Sequence, residues 1–364
     1  MAEVLGIGLT HYPPLSGSDE DMAGLLRKAL KDPAIPEDEK KPENWPHIMR
    51  SEWGTDEGRM AAATHRKHLV AGFDRARQAI DDFKPDIVLV WGDDQYENFR
   101  EDIIPAYSVL AYDDIEVRPW AQADHSSDMK GRSNVWNEPA ETTSIKIRAR
   151  RDIAKALVES LLSQHIDVAY AYEPLHHPGL AHAFLNSILY LDYHRTGFDY
   201  PVLCFPINCY GRKVVSYEGF ASPLGDVREL DPPGPQPGRL IEVGAAVARF
   251  FAESPWRVAL VASSSWSHAF LCDKTWRLRP DTPADRHLYE CLQKGDIDAW
   301  RSVTSDELEE SGQQELLNWF PLLGAMEAVG CPVPNWSQFV ETAVFNSNKV
   351  FATYGPAAPA SADA

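Results

Sequence analysis

The chain has 364 residues, of which 44% are hydrophobic and 24% are charged, a composition typical of a globular protein with a large core. Its 54 acidic and 35 basic residues give a formal net charge of -19, which repels phosphate backbones and anionic lipid, so we expect no nucleic acid and no membrane partner. The five cysteines contain no Cys-x-x-Cys pair, and no signal-peptide pattern or apolar run of about 20 residues is present. We therefore expect a cytoplasmic protein without a disulfide framework.

Strand-like apolar runs alternate with helical patterns along the chain, which predicts an α/β fold. The predicted strands are Val4–Leu9, Ile87–Trp91, Val168–Tyr172, Val202–Ile207 and Val258–Ala262. The predicted helices are Met60–Phe83, Ile145–Leu162, Leu240–Phe251 and Leu316–Val329, and from Ile297 onward the pattern is helical throughout, with a cap at Thr304 or Ser305. We expect one domain over residues 1–356, with a central mixed sheet, helices on both faces and a helical C-terminal section. Residues 357–364 are expected to form a disordered tail.

Polar side chains follow each of the five predicted strands. The segments are His11 with its flanking residues, 92–97, 173–179, 208–211 and 263–268. Each has a structural explanation by itself, since a histidine often ends a strand and an Asp-Asp pair often caps a helix or forms a turn. In open α/β sheets, however, sites form beyond the carboxyl ends of the strands. Together the five segments predict one shared site.

Four short motifs give these segments a recognisable pattern. They are Thr-His-Tyr-Pro around His11, His-His-Pro-Gly at His176 and His177, Ser-Ser-Trp-Ser-His ending at His268, and Ser-Gly-Gln-Gln-Glu ending at Glu315. The pattern resembles the catalytic subunit of the class III extradiol ring-cleavage dioxygenases, the protocatechuate 4,5-dioxygenase type. Within this group the likeness is to the single-chain 3-O-methylgallate dioxygenase branch, and it covers most of the chain, from Glu3 to about Val329.

The resemblance implies an Fe(II)-dependent dioxygenase that opens a catechol- or gallate-like ring with O2. It makes His11 and Glu315 iron ligands and His268 the acid/base histidine. His177 would be a second pocket histidine, although His176 stays an alternative because of the proline that follows the pair. From the sequence alone, Asn208 and Tyr210 either hydrogen-bond substrate hydroxyls or simply end their strand. We also expect a homo-oligomer.

One position departs from the family pattern. The second histidine ligand of the family belongs after the second long strand, where this chain has Gly-Asp-Asp-Gln, with Gln95 at the histidine position. Gln95 or Asp94 could be the ligand instead, which would make the site harder and its iron binding weaker. A histidine from elsewhere could also replace it; the candidates are His47, His65, His68 and His125. If no iron binds, the alternatives are a hydrolase or lyase that uses His177 and His268, or a non-catalytic partner subunit.

Overall fold

The computed structural model describes residues 3–120, 134–214, 217–219, 222–226 and 230–356, so His125 and the predicted tail lie outside the described residues. The strands are β1 (Val4–Leu9), β2 (Ile87–Asp93), β3 (Ser108–Leu110), β4 (Ile115–Val117), β5 (Ile145–Ile147), β6 (Ala169–Ala171), β7 (Val202–Ile207), β8 (Val258–Ser263), β9 (Trp336–Val340) and β10 (Lys349–Tyr354). The helices are α1 (Gly24–Ala29), α2 (His47–Trp53), α3 (Arg59–Phe83), α4 (Arg151–Ser163), α5 (His182–Leu191), α6 (Gly211–Val214), α7 (Pro237–Glu253), α8 (Thr282–Lys294), α9 (Ile297–Arg301), α10 (Ser305–Glu310) and α11 (Trp319–Ala328).

The main sheet has six strands in the order β7-β2-β8-β1-β10-β9. The first four are parallel to one another, whereas β10 runs antiparallel to both of its neighbours. Two further two-stranded sheets are formed by β3 with β6 and by β4 with β5, and the first adjoins the main sheet through a bridge between Tyr107 and Ile207 of β7. The predicted mixed α/β sheet is therefore confirmed, and strands from before and after Asp231 share it.

The four parallel strands are buried along their whole length, as expected for strands that are covered on both faces. Their side chains alternate between two hydrophobic cores. In β2, Ile87, Leu89 and Trp91 enter the core that contains α7 and α11, while Val88 and Val90 enter the core that contains α3 and α5. Helices therefore cover both faces of the sheet, as predicted. None of the described helices is both long and apolar enough to cross a bilayer.

Close packing at Gly8 fixes the position of α11 against β1. A Cβ atom at Gly8 would lie 2.1 Å from Cη2 of Trp319, so only glycine leaves room for this indole ring. Trp319 begins α11 and directly follows the 3-10 turn Gln314–Asn318, which carries Glu315. The contact between Gly8 and Trp319 therefore sets where Glu315 lies relative to β1.

Three local predictions were wrong or incomplete. The helix predicted over Ile145–Leu162 is restricted to α4, because Ile145–Ile147 pairs with β4 as a strand. The chain is not helical to its end: β9 and β10 follow α11 and join the main sheet. The predicted strand at Val168–Tyr172 shortens to β6 and belongs to a small sheet. The predicted cap is confirmed, since Thr304 forms a capping box at the start of α10.

Candidate metal centre and active site

His11 follows β1 at the carboxyl edge of the parallel strands, where the sheet places polar groups close together. Its Nδ1 lies 3.2 Å from the carbonyl oxygen of Ser263 and 3.0 Å from the hydroxyl of the same residue. Because a carbonyl oxygen only accepts, we assign the proton to Nδ1, which leaves Nε2 as a lone-pair donor. Burial lowers the pKa of His11 to about 4, so its ring is neutral at physiological pH.

Two buried carboxylates face the Nε2 atom of His11. Asp93 Oδ1 lies 3.7 Å from it and Glu315 Oε2 lies 3.6 Å from it. The Asn318 side-chain amide donates to Asp93 Oδ1 at 3.2 Å, but the buried Asp93 Oδ2 has no hydrogen-bond partner among the described residues. Burial, and then the nearby Glu315, raises the pKa of Asp93 well above its usual value. This donor set has an unsatisfied acceptor of the kind that a cation would satisfy.

Glu315 is held in the ionised form by its surroundings. The Ser265 backbone N–H donates to Oε2 at 3.2 Å, the Tyr210 hydroxyl donates to Oε1, and His268 Nε2 lies 3.2 Å from Oε1. Burial by itself would raise the pKa of Glu315, but its electrostatic contacts with the His268 and His11 rings and its hydrogen bonds with His268 and Tyr210 outweigh burial and hold this pKa below its usual range. The sequence prediction that His11 and Glu315 converge agrees with this geometry.

His182 joins the same cluster from a different element. It is the first residue of α5, and one ligand atom from each of His11, Asp93 and His182 lies within 4.8 Å of the others. Its Nδ1 lies 3.0 Å from Glu97 Oε2, and its backbone N–H donates to Glu97 Oε1 at 3.0 Å. Burial opposes a charge on the ring, but the Glu97 carboxylate outweighs burial and raises the pKa of His182 to about 10.

His268 lies in the loop after β8 with one ring nitrogen free for chemistry. Its Nε2 points to Glu315, and since a carboxylate accepts, we assign the proton to Nε2. The buried Nδ1 has no hydrogen-bond partner among the described residues. The backbone N–H of His268 donates to Gly312 O at 2.7 Å. Position 312 requires glycine, because its backbone is in the left-handed region and a Cβ would lie 2.6 Å from His268 O. The segments that carry His268 and Glu315 are thus fixed to each other.

Asp285 connects the segments around this pair. Its buried carboxylate accepts from the Ser267 backbone N–H at 3.0 Å, from Gln313 Nε2 at 2.7 Å and from Asn348 Nδ2 at 2.8 Å. Burial raises the pKa of Asp285 to about 7, although the three donors oppose this shift. Asp285 therefore holds residues that neighbour both His268 and Glu315.

A cavity of about 610 Å³ opens onto these residues. Its lining includes His11, His182, Tyr210, His268 and Glu315 from the cluster, together with Gln95 and, from α1, Leu25 and Leu26. This volume lies in the range of pockets that bind small organic molecules. The cavity is large enough for an aromatic ring that carries substituents.

The structure does not bring four of the proposed site residues to this cavity. Both Asp94 oxygens accept backbone N–H groups, those of residues 97–99, so this carboxylate caps a turn. Asn208 accepts from the Gly211 N–H and lines a separate small pocket with Asp94. His176 pairs with Asp102 at 2.8 Å near the surface, and the buried His177 accepts from the Gly179 N–H through Nδ1. The side chains of His176 and His177 therefore lie outside the cavity lining.

Sequence reasoning missed Asp93, Glu97 and His182. The Asp93 signal was available, because it is the last residue of a buried parallel strand. Glu97 lies in the predicted segment 92–97, but its pairing with His182 gave no signal, since 85 positions separate the two residues and His182 lies in none of the predicted segments. The other histidine alternatives are not in the cluster: His47 and His68 are exposed, and His65 packs against Tyr12 and Phe345.

Comparison with known proteins agrees with this geometry. The profile of the family described as the catalytic LigB subunit of aromatic ring-opening dioxygenase matches residues 230–352, which include His268 and Glu315. A protein of Paraburkholderia phymatum named 2,3-dihydroxyphenylpropionate/2,3-dihydroxicinnamic acid 1,2-dioxygenase is 26% identical over 301 residues, 70% of this chain and 80% of the relative. A protein of the same name from Rhodococcus sp is 25% identical over 304 residues, 71% of this chain and 82% of the relative.

The match over residues 230–352 and the dioxygenase names of the relatives support the class III extradiol dioxygenase superfamily as the group that this chain resembles. This confirms the resemblance seen in the sequence motifs at the level of the superfamily. The likeness to the 3-O-methylgallate branch stays a prediction, as do the cytoplasmic location and the homo-oligomer.

Proposed function

We propose that the protein is an Fe(II)-dependent extradiol dioxygenase that opens a catechol- or gallate-like ring with O2. The observation that carries this proposal is the convergence of His11, Glu315 and His268 at one cavity, although Glu315 lies 304 positions after His11 in the chain. The relatives are named for catechols with a side chain, and the volume of the cavity suits a ring with such a substituent.

The residues present fit a bound Fe(II) ion. His11 offers an unprotonated Nε2, Glu315 offers a carboxylate, and the unpartnered Asp93 Oδ2 marks a place where positive charge is missing. Nitrogen and carboxylate donors with open positions are the usual ligand set of non-haem iron oxygenases. When bound, the iron would hold the deprotonated diol and O2 next to each other so that electrons can pass between them.

The proton chemistry falls to His268. A catechol must lose protons to bind as a dianion or monoanion, and the unpartnered Nδ1 of His268 is a buried acceptor in the cavity wall. The protonated imidazole of His268 can later return this proton to an oxygen atom of the substrate as its aromatic ring opens. Glu315 accepts from Nε2 and stabilises the charged form of the ring, while Tyr210 keeps the Glu315 carboxylate in place.

The test is oxygen uptake by protein purified without air and loaded with Fe(II). We expect uptake, together with the absorbance of a ring-opened product, with at least one of catechol, protocatechuate, gallate, 3-O-methylgallate and 2,3-dihydroxyphenylpropionate. His11→Ala should abolish both signals, whereas His68→Ala, an exposed histidine of α3, should retain them. Iron-loaded protein that consumes no oxygen with any of these diols would contradict the proposal and favour the hydrolase, lyase or partner-subunit alternatives.

A further inference from the structure

We infer that His182 supplies the second imidazole ligand of the metal site, in place of the histidine that this chain lacks at position 95, and that Glu97 orients it. This inference rests on the proposed function for the identity of the metal. It differs from the expectation from the sequence, in which Gln95 or Asp94 fills the vacant position.

The two candidate ligands after β2, Gln95 and Asp94, are both held by loop contacts. The Gln95 amide nitrogen donates to the Gly219 carbonyl at 2.8 Å, and the backbone of Gln95 packs so closely on Gly219 that a Cβ there would lie 2.8 Å from Gln95 O. Asp94 uses both carboxylate oxygens to cap the turn that follows. Asp94 is therefore occupied, and the Gln95 amide, although it lines the cavity, is anchored through its nitrogen to the loop at Gly219, which favours a ligand from another element.

His182 has the position of a ligand. It lies in one buried cluster with His11 and Asp93, whose ligand atoms are all within 4.8 Å of one another. Since the Glu97 carboxylate accepts at Nδ1, a neutral His182 carries its proton there and offers the lone pair of Nε2. A second hydrogen bond from the His182 backbone N–H to Glu97 Oε1 fixes the ring further.

A carboxylate behind a histidine is the usual support of a metal-binding imidazole, since it fixes the tautomer and strengthens the donor. His11 has the same kind of support, because its Nδ1 contacts the Ser263 carbonyl. The two rings meet edge to face with their centroids 5.0 Å apart. Asp93 of the same cluster has a buried oxygen, Oδ2, without a hydrogen-bond partner among the described residues, which a cation would satisfy. The cluster therefore offers two imidazoles and two carboxylates, which come from the loop after β1, the end of β2, the start of α5 and the Glu315 turn.

Metal affinity tests the inference without any turnover. We would titrate the full-length protein, free of metal and without substrate, with Fe(II) and with Co(II) against a chromogenic chelator under argon. His182→Gln should weaken binding by roughly 100-fold or more, because loss of a ligand costs at least as much as loss of its orienting partner, and Glu97→Gln should weaken it by about 10- to 100-fold. Gln95→Ala and Asp94→Asn should stay within about threefold of the parent protein, as should the exposed control His68→Ala.

A spectroscopic readout covers the case in which His182→Gln folds poorly. In the Co(II)-loaded parent protein, two exchangeable imidazole N–H resonances should be shifted by the paramagnetic ion, one each from His11 and His182. Gln95→Ala should keep both, and Glu97→Gln should shift or remove only one. Affinity that drops with Gln95→Ala or Asp94→Asn but not with His182→Gln would overturn the inference, as would a single shifted resonance in the parent protein. Oxygen uptake is measured separately, so tight binding through His182 without ring opening would refute only the proposed function.

Discussion

Replacement of Gly8 by alanine should disturb the sheet directly beside the proposed metal site. The new methyl group would lie 2.1 to 2.7 Å from three carbons of the Trp319 benzo ring, far inside contact distance, so the indole or β1 must move. Overpacking of this kind costs about 1–3 kcal/mol of unfolding free energy. Trp319→Phe removes most of the clashing atoms, and by itself should cost about 1–2 kcal/mol for the lost contacts and the small cavity.

A double-mutant cycle by urea unfolding measures whether the two sites contact each other in this way. In the double variant the alanine methyl occupies space that the smaller ring vacates, so the stability loss of the double variant should be close to that of Trp319→Phe alone. The coupling then equals the cost of Gly8→Ala by itself, about 1–3 kcal/mol. Gly24→Ala in α1 is the control, because nothing lies within 4 Å of a Cβ at that position and stability should not fall. Additive losses in the double variant would refute the packing argument.

The remaining predictions concern the acid/base group, pH and the cavity. His268→Ala should keep its metal content by elemental analysis while turnover falls roughly 10²- to 10⁴-fold, and loss of the metal would make His268 a ligand instead. The pKa of Asp285 is about 7 in the folded protein against 3.8 for the unfolded group, so between these values the folded state holds a proton that the unfolded state has released. The unfolding free energy should therefore fall as pH rises from about 4 to 7, by up to about 4 kcal/mol from this group. Urea unfolding measured across this pH range should show a shallower decline of the unfolding free energy for Asp285→Asn than for the parent protein. Equal slopes for the two proteins would contradict this prediction. Leu25→Trp should narrow the cavity and lower kcat/KM for catechols with a side chain more than for catechol itself, whereas an equal loss for both would place the substituent elsewhere.

The strands of the central sheet were predictable because their apolar runs are continuous. Val4–Leu9 and Val202–Ile207 match the predicted bounds, and the histidine after β1 lies at the carboxyl edge as expected. The strands β9 and β10 were missed, since Trp336–Val340 is half-buried and lacks a clear period, and Lys349–Tyr354 is a short run that periodicity alone cannot distinguish from helix. The pairing of β10 with the distant β1, and of β9 with β10, decides their conformation.

The candidate site likewise contains residues that the sequence could predict and residues that it could not. His11, Glu315 and His268 could be predicted because each lies in a motif, and the structure brings them together. His182 could not, because its place depends on how the start of α5 packs against the segment after β2, and its partner Glu97 lies far away in the chain. Motifs identify residues that a family shares, whereas a site residue outside such motifs becomes visible only in three dimensions.

The fate of molecular oxygen tests the central claim most directly. Iron-loaded protein would be mixed with a catechol under ¹⁸O2, the product reduced at once to prevent exchange with water, and its mass measured. The account predicts a ring-opened product that carries two ¹⁸O atoms, and no such product from His11→Ala. Product without ¹⁸O, or a catechol recovered intact by protein that holds iron, would contradict the assignment of this chain as an active ring-cleaving dioxygenase.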